Sequence, residues 1–274
     1  MSLAREIGKA LIALNISRFF KIKRDGYQVR FYPTSMSMYL WEAKLRNRTV
    51  YEDDEAVFRS FLRSGDIVID VGANIGILSL AACTIVGQNG HVYSFEAHPK
   101  TSKYLKGNVE VNNFTNITTY SLALGEKKGK VHFANEKNDD LNKVTNTDSG
   151  IEVEMDTLDN ILNIDADSIA LLKIDVEGYE KFVLEGADII LKRTQCVFFE
   201  SSKDHFTNFE YSTEDLNEML FDRGFELFRF TNNELITIDK SYVPSNKFEN
   251  LIAVRDLEDF LNRTNYELKK EDEN

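Results

Sequence analysis

Short apolar runs alternate along this chain with longer stretches whose apolar residues recur at helical spacing. The clearest run, Asp66-Ile67-Val68-Ile69-Asp70-Val71, predicts a strand. It passes through Gly72-Ala73-Asn74-Ile75-Gly76 into an apolar helix over Ile77–Val86. Asn89-Gly90 then turns the chain into a second strand, His91–Phe95, and Pro99 opens a helix that Asn112-Asn113 end. A third strand is predicted over residues 117–124, and a charged turn between Gly125 and Gly129 leads to an antiparallel pair over 130–133 and 151–155. The almost wholly polar stretch 135–150 reads equally well as a mobile lid or as a solvated loop. Asp156 or Thr157 caps a short helix to Leu162. A fourth strand, Ile169–Ile174, delivers Asp175 to Glu180 into a helix expected to run unbroken to about Leu191. The fifth strand, 196–199, ends at Glu200, and Ser212 or Thr213 caps a helix that Gly224 terminates. Residues 225–230 and 251–254 read as the last two strands. Strands alternating with helices imply an α/β fold with a doubly wound, mostly parallel sheet.

Upstream of that pattern, Val57, Phe58, Phe61 and Leu62 mark a helix over 53–62, expected to cover the sheet and close one wall of the site. Residues 27–39 alternate loosely and predict a short hairpin. Ile7, Leu11 and Leu14 share a helical face in a segment rich in Arg and Lys. That segment fits either a helix packed on the main domain or a basic amphipathic helix making peripheral contact with a membrane or partner. The division expected is therefore an N-terminal extension over 1–50, a catalytic domain over 51–256, and a C-terminal helix with an acidic tail over 257–274.

Composition narrows the functional classes. A net charge of −12 over 274 residues argues against a nucleic-acid partner, which needs a basic surface. The longest apolar stretch is too short to span a bilayer, and no leader peptide is visible, so a cytoplasmic location is expected. Cys83 and Cys196 sit in apolar surroundings and read as buried, reduced thiols.

The glycine turn carries the chemistry. Gly72 lets the chain turn as it leaves the strand, and Gly76 lets the next helix pack closely. A dinucleotide site would need glycine where Asn74 stands, and Asp70 at the strand end would repel a diphosphate. A carboxylate there suits a ligand with a cationic amine instead. Glu96, at the end of the second strand, stands where an acid commonly holds a ribose diol. S-adenosylmethionine meets both conditions, and an NAD-dependent oxidoreductase meets them poorly. Strand ends point at the ligand crevice, so Asp175 is the best-placed base for an acceptor hydroxyl, with Glu177 next. Asp175, Glu177 and Glu200 are oxygen ligands of the kind hard cations prefer, but no compact ligand spacing appears, and no metal is expected. The four histidines show no ligand pattern; His205, shortly after the fifth strand, is the one that could reach an acceptor, and a structural or exposed role is the simpler reading for it.

Two stretches together resemble the FkbM-type family of S-adenosylmethionine-dependent methyltransferases. One runs from Gly65 to Gly76; the other is Leu172-Lys173-Ile174-Asp175-Val176-Glu177-Gly178-Tyr179-Glu180 with Val183-Leu184-Glu185-Gly186-Ala187. Phe95-Glu96-Ala97-His98-Pro99, Leu122-Ala123-Leu124-Gly125 and Thr157-Leu158-Asp159 support it. The resemblance implies a seven-stranded Rossmann-like sheet whose last strand is antiparallel. It implies that Asp70, Gly72, Ala73, Asn74 and Gly76 line the methionine end of the cofactor, that Glu96 with Ala97 holds the ribose, and that Ser121-Leu122 edge the adenine. Leu122 stands where the class often has an acid for the adenine amine. The activity implied is methyl transfer to a hydroxyl of a sugar, glycolipid or secondary metabolite; a cofactor-binding protein without catalysis is the alternative.

Overall fold

The computed structural model describes residues 2–46, 52–134, 144–145, 150–164, 166–202, 207–231, 233–244 and 248–269. Its centre is a nine-stranded sheet. The parallel part comprises β3 (Ile67–Val71), β4 (His91–Phe95), β5 (Ile117–Tyr120), β10 (Ile169–Ile174) and β11 (Thr194–Ser201). Beyond it lie β12 (Glu226–Thr231), β13 (Glu234–Ile238), β14 (Glu249–Val254) and β15 (Glu267–Lys269). The order β15-β13-β12-β14-β11-β10-β3-β4-β5 places β14 antiparallel between β11 and β12. This is the expected seven-stranded sheet with its antiparallel last strand, extended at one edge by β13 and β15. The extension escaped the sequence reading because β13 follows β12 through a two-residue connection, with Asn233 at a φ of 66°.

Apolar strand faces pack helices on both sides. One face, with Ile69, Leu172, Phe199 and Leu251, is covered by α7 (Glu180–Glu185), α8 (Asp188–Arg193) and the helix Thr213–Asp222. The other face, with Val68, Leu171 and Phe198, packs against α3 (Glu52–Phe61), α4 (Ile77–Val86) and the helix Leu257–Arg263. Both cysteines are buried and free.

Three expected elements differ. The third strand breaks after Tyr120, and Ala123–Leu124 (β6) joins a separate sheet with β7 (Gly129–Phe133), β8 (Val144–Thr145) and β9 (Ile151–Asp156). The helix after β10 also breaks, at Gly186-Ala187. A Cβ on Gly186 would stand 2.1 Å from the Gly125 carbonyl oxygen, so the chain is pressed against the second sheet there. Asp159 restarts it by accepting hydrogen bonds from the Ile189 and Ile190 N–H groups. The hairpin lies earlier than expected, at β1 (Lys21–Lys23) and β2 (Gln28–Arg30), because Thr34 caps a helix, α2 (Ser35–Leu45), within the predicted strand region. Most of 135–150, His205 and 270–274 fall outside the described residues.

The N-terminal segment is not a loose appendage. Ile22, Val29, Phe31 and Trp41 share a core with Ile75, Ile77 and Leu80 of the main domain. Asn108 and Asn112 of α5 (Pro99–Asn112) accept hydrogen bonds from the Arg30 and Gln28 N–H groups. Helix α1 (Leu3–Ala13) rests on α2, with Gly8 against Met38 and Trp41. Among the described residues no helix is long and apolar enough to cross a membrane.

Candidate active site

Strand order reverses at β3, whose neighbours are β4 on one side and β10 on the other. A crevice opens outside the carboxyl ends of strands at such a point. Here it is a cavity of about 640 Å³. Gly72 leaves β3 with a φ of 76°, and a Cβ there would lie 1.8 Å from the Asp175 carbonyl oxygen. Only glycine lets the turns after β3 and β10 touch. The Gly72 and Ala73 N–H groups both donate to the Phe95 carbonyl, tying the turn to the end of β4. Gly76 caps α4 at a φ of 92°, where a Cβ would strike Leu105 of α5.

Three buried charges fix the floor. Asp70 accepts a short hydrogen bond from the Ser79 hydroxyl, and its other oxygen is 3.2 Å from the Lys173 ammonium. That second contact is an ion pair rather than an aligned hydrogen bond. Lys173 is 3.4 Å from Asp175 and donates to the Gly72 carbonyl at 2.8 Å. Burial alone would lower the pKa of this lysine, but Asp70 and then Asp175 outweigh burial and hold it above the ordinary value. Glu96 accepts from the Asn74 N–H at 2.9 Å and the His98 N–H at 2.8 Å. Its burial nevertheless pushes the carboxyl up to about 7.

The opposite side is more open. Asp175, Glu177 and Glu200 are half-buried, and one oxygen from each lies within 4.8 Å of the others. The expectation that these carboxylates would be dispersed is therefore corrected: β10 and β11 are adjacent strands, and Glu177 turns back at a φ of 57°. Nearby, Asn250 donates to Asp54 at 3.0 Å, and Met36 and Phe248 complete the rim.

Of the residues singled out from sequence, Asp70, Gly72, Ala73, Asn74, Glu96, Ala97, Leu122, Asp175 and Glu177 line this one cavity. Ser121 does not; it is exposed where the third strand breaks. Gly76 shapes the turn without lining the cavity. The reading missed Lys173, although a lone cation inside the run Ile169–Ile174 was a visible signal. It also missed Met36, Asp54, Phe248 and Asn250, which no local motif marks.

The methyltransferase FkbM domain model matches residues 70–227, more than half of the chain. The chain belongs to the FkbM methyltransferase family. It is thus an S-adenosylmethionine-dependent methyltransferase. No curated protein matches. Similar solved structures include the FkbM methyltransferase of Methylobacillus flagellatus KT, at 15% identity over 92% of this chain and 60% of that one, TM-score 0.46. A methyltransferase from Pyrococcus furiosus matches at 13% identity over 92% and 98%, TM-score 0.44. An S-adenosylmethionine-dependent O-methyltransferase from Thermotoga maritima matches at 14% over 78% and 69%, TM-score 0.42. The residues of the FkbM cavity fit the donor: a buried acid for a diol, carboxylates for an amine, and Ala97, Leu122 and Phe133 as an apolar wall.

Proposed function

We propose that this FkbM methyltransferase methylates a hydroxyl of a neutral, polyhydroxylated acceptor such as a sugar, a glycolipid or another secondary metabolite. In this reading Asp70, Gly72, Ala73, Asn74 and Gly76 form the methionine end of the donor site. Glu96 and Ala97 hold the ribose, and Leu122 edges the adenine. Ser121, being exposed, contributes backbone at most. The observation that carries the reading is the half-buried group Asp175, Glu177 and Glu200 beside that end of the cavity. Carboxylates accept hydrogen bonds from hydroxyls and repel anionic acceptors, and the one lysine lining the cavity among the described residues is already engaged by Asp70 and Asp175.

The bound donor supplies a methyl group on a good leaving group, so the protein mainly has to align the acceptor oxygen. Asp175 takes the hydroxyl proton as the new bond forms, with its orientation fixed by Lys173; Glu177 and Glu200 accept from neighbouring hydroxyls. Asp175→Asn keeps the shape and removes the basicity. It is expected to lower the saturated rate by about 10²–10⁴ while donor affinity stays within about tenfold. Weak donor binding with the rate restored at saturation would instead assign Asp175 to the donor amine. Labelled methyl appearing on an amine rather than a sugar hydroxyl would overturn the acceptor assignment.

A further inference from the structure

Helix α1 has two apolar faces, and only one is used. Ala4, Gly8, Leu11 and Ile12 turn toward α2 and its core, whereas Leu3, Ile7 and Leu14 lie on the next face and are exposed, Leu3 at 78% and Leu14 at 67%. The exposed face runs into a tight turn, where Ile16 N–H donates to the Leu11 carbonyl and Phe20 N–H to that of Ser17. That turn presents Phe19 at 71% exposure with the Arg18 guanidinium over its ring. Directly after it, Lys21 and Lys23 both point outward from β1 while Ile22 points in. So many exposed aromatic and aliphatic side chains within the first twenty residues are unusual on a surface that meets only water.

Charge selects among the possible occupants. The first 46 residues hold nine basic and three acidic side chains, whereas the remaining 228 hold 24 basic and 42 acidic. The N-terminal segment is therefore basic and the rest of the chain acidic, and the basic segment is the one that carries these exposed apolar side chains. We propose that this end docks on an anionic lipid bilayer. Leu3, Ile7, Leu14 and Phe19 enter the interface while Arg18, Lys21 and Lys23 keep their charges among the headgroups. The acidic body is repelled from the same surface, which leaves one orientation. A bilayer supplies both the apolar depth that Phe19 needs and the negative charge that the lysines need. A second copy of the chain offers negative charge, but a basic end on an acidic body is a head-to-tail contact that builds rings or filaments rather than a two-fold dimer, and it offers no apolar depth for Phe19. Because α2 contributes Met36 to the cavity rim, docking would bring the acceptor side of the site near the lipid surface.

Flotation of the full chain with phosphatidylcholine vesicles, with and without phosphatidylserine, tests this. The wild type should float with the anionic vesicles at low salt and be released as salt rises. A Leu14→Glu/Phe19→Glu variant and a Lys21→Glu/Lys23→Glu variant should each lower the bound fraction by roughly tenfold or more. Both should keep the wild-type thermal transition and donor affinity, since all four side chains are exposed. Absence of flotation by the wild type, or flotation indifferent to both variants, overturns the proposal. So does light scattering that shows a dimer lost in Leu14→Glu/Phe19→Glu without vesicle binding, which would assign the surface to a second copy.

Discussion

The two sides of the cavity are built on different principles. On the side of β3 and β4, Asp70 and Glu96 are buried, as is Lys173 reaching across from β10, and each is pinned by a backbone group, a hydroxyl or an opposite charge. On the facing side, Asp175, Glu177 and Glu200 are half-buried, and Met36, Asp54, Phe248 and Asn250 reach in from separate segments. Buried charges are costly unless paired, so the first side has few alternatives in residue type or geometry. Side chains on the open side keep contact with solvent, so replacing one of them is expected to cost less stability. In the proposed function, a constant donor and a particular acceptor would place just these demands on the two sides.

The sharpest way to break the contrast is to remove the charge that joins the sides. Lys173→Met preserves much of the stem but leaves Asp70 buried with no cation. A loss of about 3–5 kcal/mol in unfolding free energy is expected, as for other half-broken buried pairs. Adding Asp70→Asn should recover a large part of it, because the uncompensated charge is then gone. Chemical denaturation of the four proteins in the cycle measures this. A Lys173→Met protein as stable as wild type would mean that the ion pair contributes nothing to the floor.

The same contrast explains what could be read in the sequence. The turn at the heart of the β3 side, Asp70 to Gly76, is made of consecutive residues, and backbone demands such as the left-handed turn at Gly72 leave a mark in residue type. The strand-turn-helix at Asp70–Gly76, the acid at Glu96 and the strand end at Asp175 follow from such local marks, while the antiparallel last strand comes only with the family resemblance. The open side is assembled from side chains far apart in sequence: Asp54 meets Asn250 across 196 positions. No local periodicity encodes that meeting. The broken helix at Gly186 was missed for a related reason, because the chain there presses on the carbonyl of Gly125, just after β6 and far away in sequence. Lys173 is different. Its position was legible: a lone cation inside an apolar strand implies buried acids around it, here Asp70 and Asp175.

Titration sharpens the comparison at intermediate cost. Burial raises Glu96 to about 7, and Glu180, held by the Val176 and Gly178 N–H groups, likewise to about 7. Both start from 4.5. A raised acid binds more protons in the folded state, so its stabilising contribution is fully present below about pH 4.5 and is lost as pH rises through about 7. Between those values wild-type stability should therefore fall relative to a Glu96→Gln/Glu180→Gln variant. Donor affinity should move the opposite way, since the ionised Glu96 carboxylate is the better acceptor for a ribose diol. Calorimetry should show it rising roughly tenfold between about pH 6 and 8 in wild type and staying flat in Glu96→Gln. Unchanged affinity in Glu96→Ala would remove Glu96 from the donor site.

The smallest expected effect lies on the open side, at Asp54. Its carboxylate accepts from the Asn250 amide at 3.0 Å and faces the cavity from α3, across from the β3 turn. Its partner Asn250 lies on β14, away from the Asp70–Lys173 pair, so its loss is expected to act on the open side rather than on the floor. In Asp54→Ala the Asn250 amide loses one acceptor at a site open enough for water to replace it, and stability should change by less than about 1 kcal/mol. A hydroxylated acceptor would lose one charge-assisted hydrogen bond of about 1.5–3 kcal/mol, partly recovered through water. The acceptor KM should accordingly rise roughly three- to tenfold, with donor affinity unchanged and the saturated rate within about twofold. Measuring both substrates' constants on the same variant separates the two sides of the cavity directly. A change in donor affinity with the acceptor KM untouched would show that α3 belongs to the donor side, and the division between a pinned and an open half would have to be redrawn.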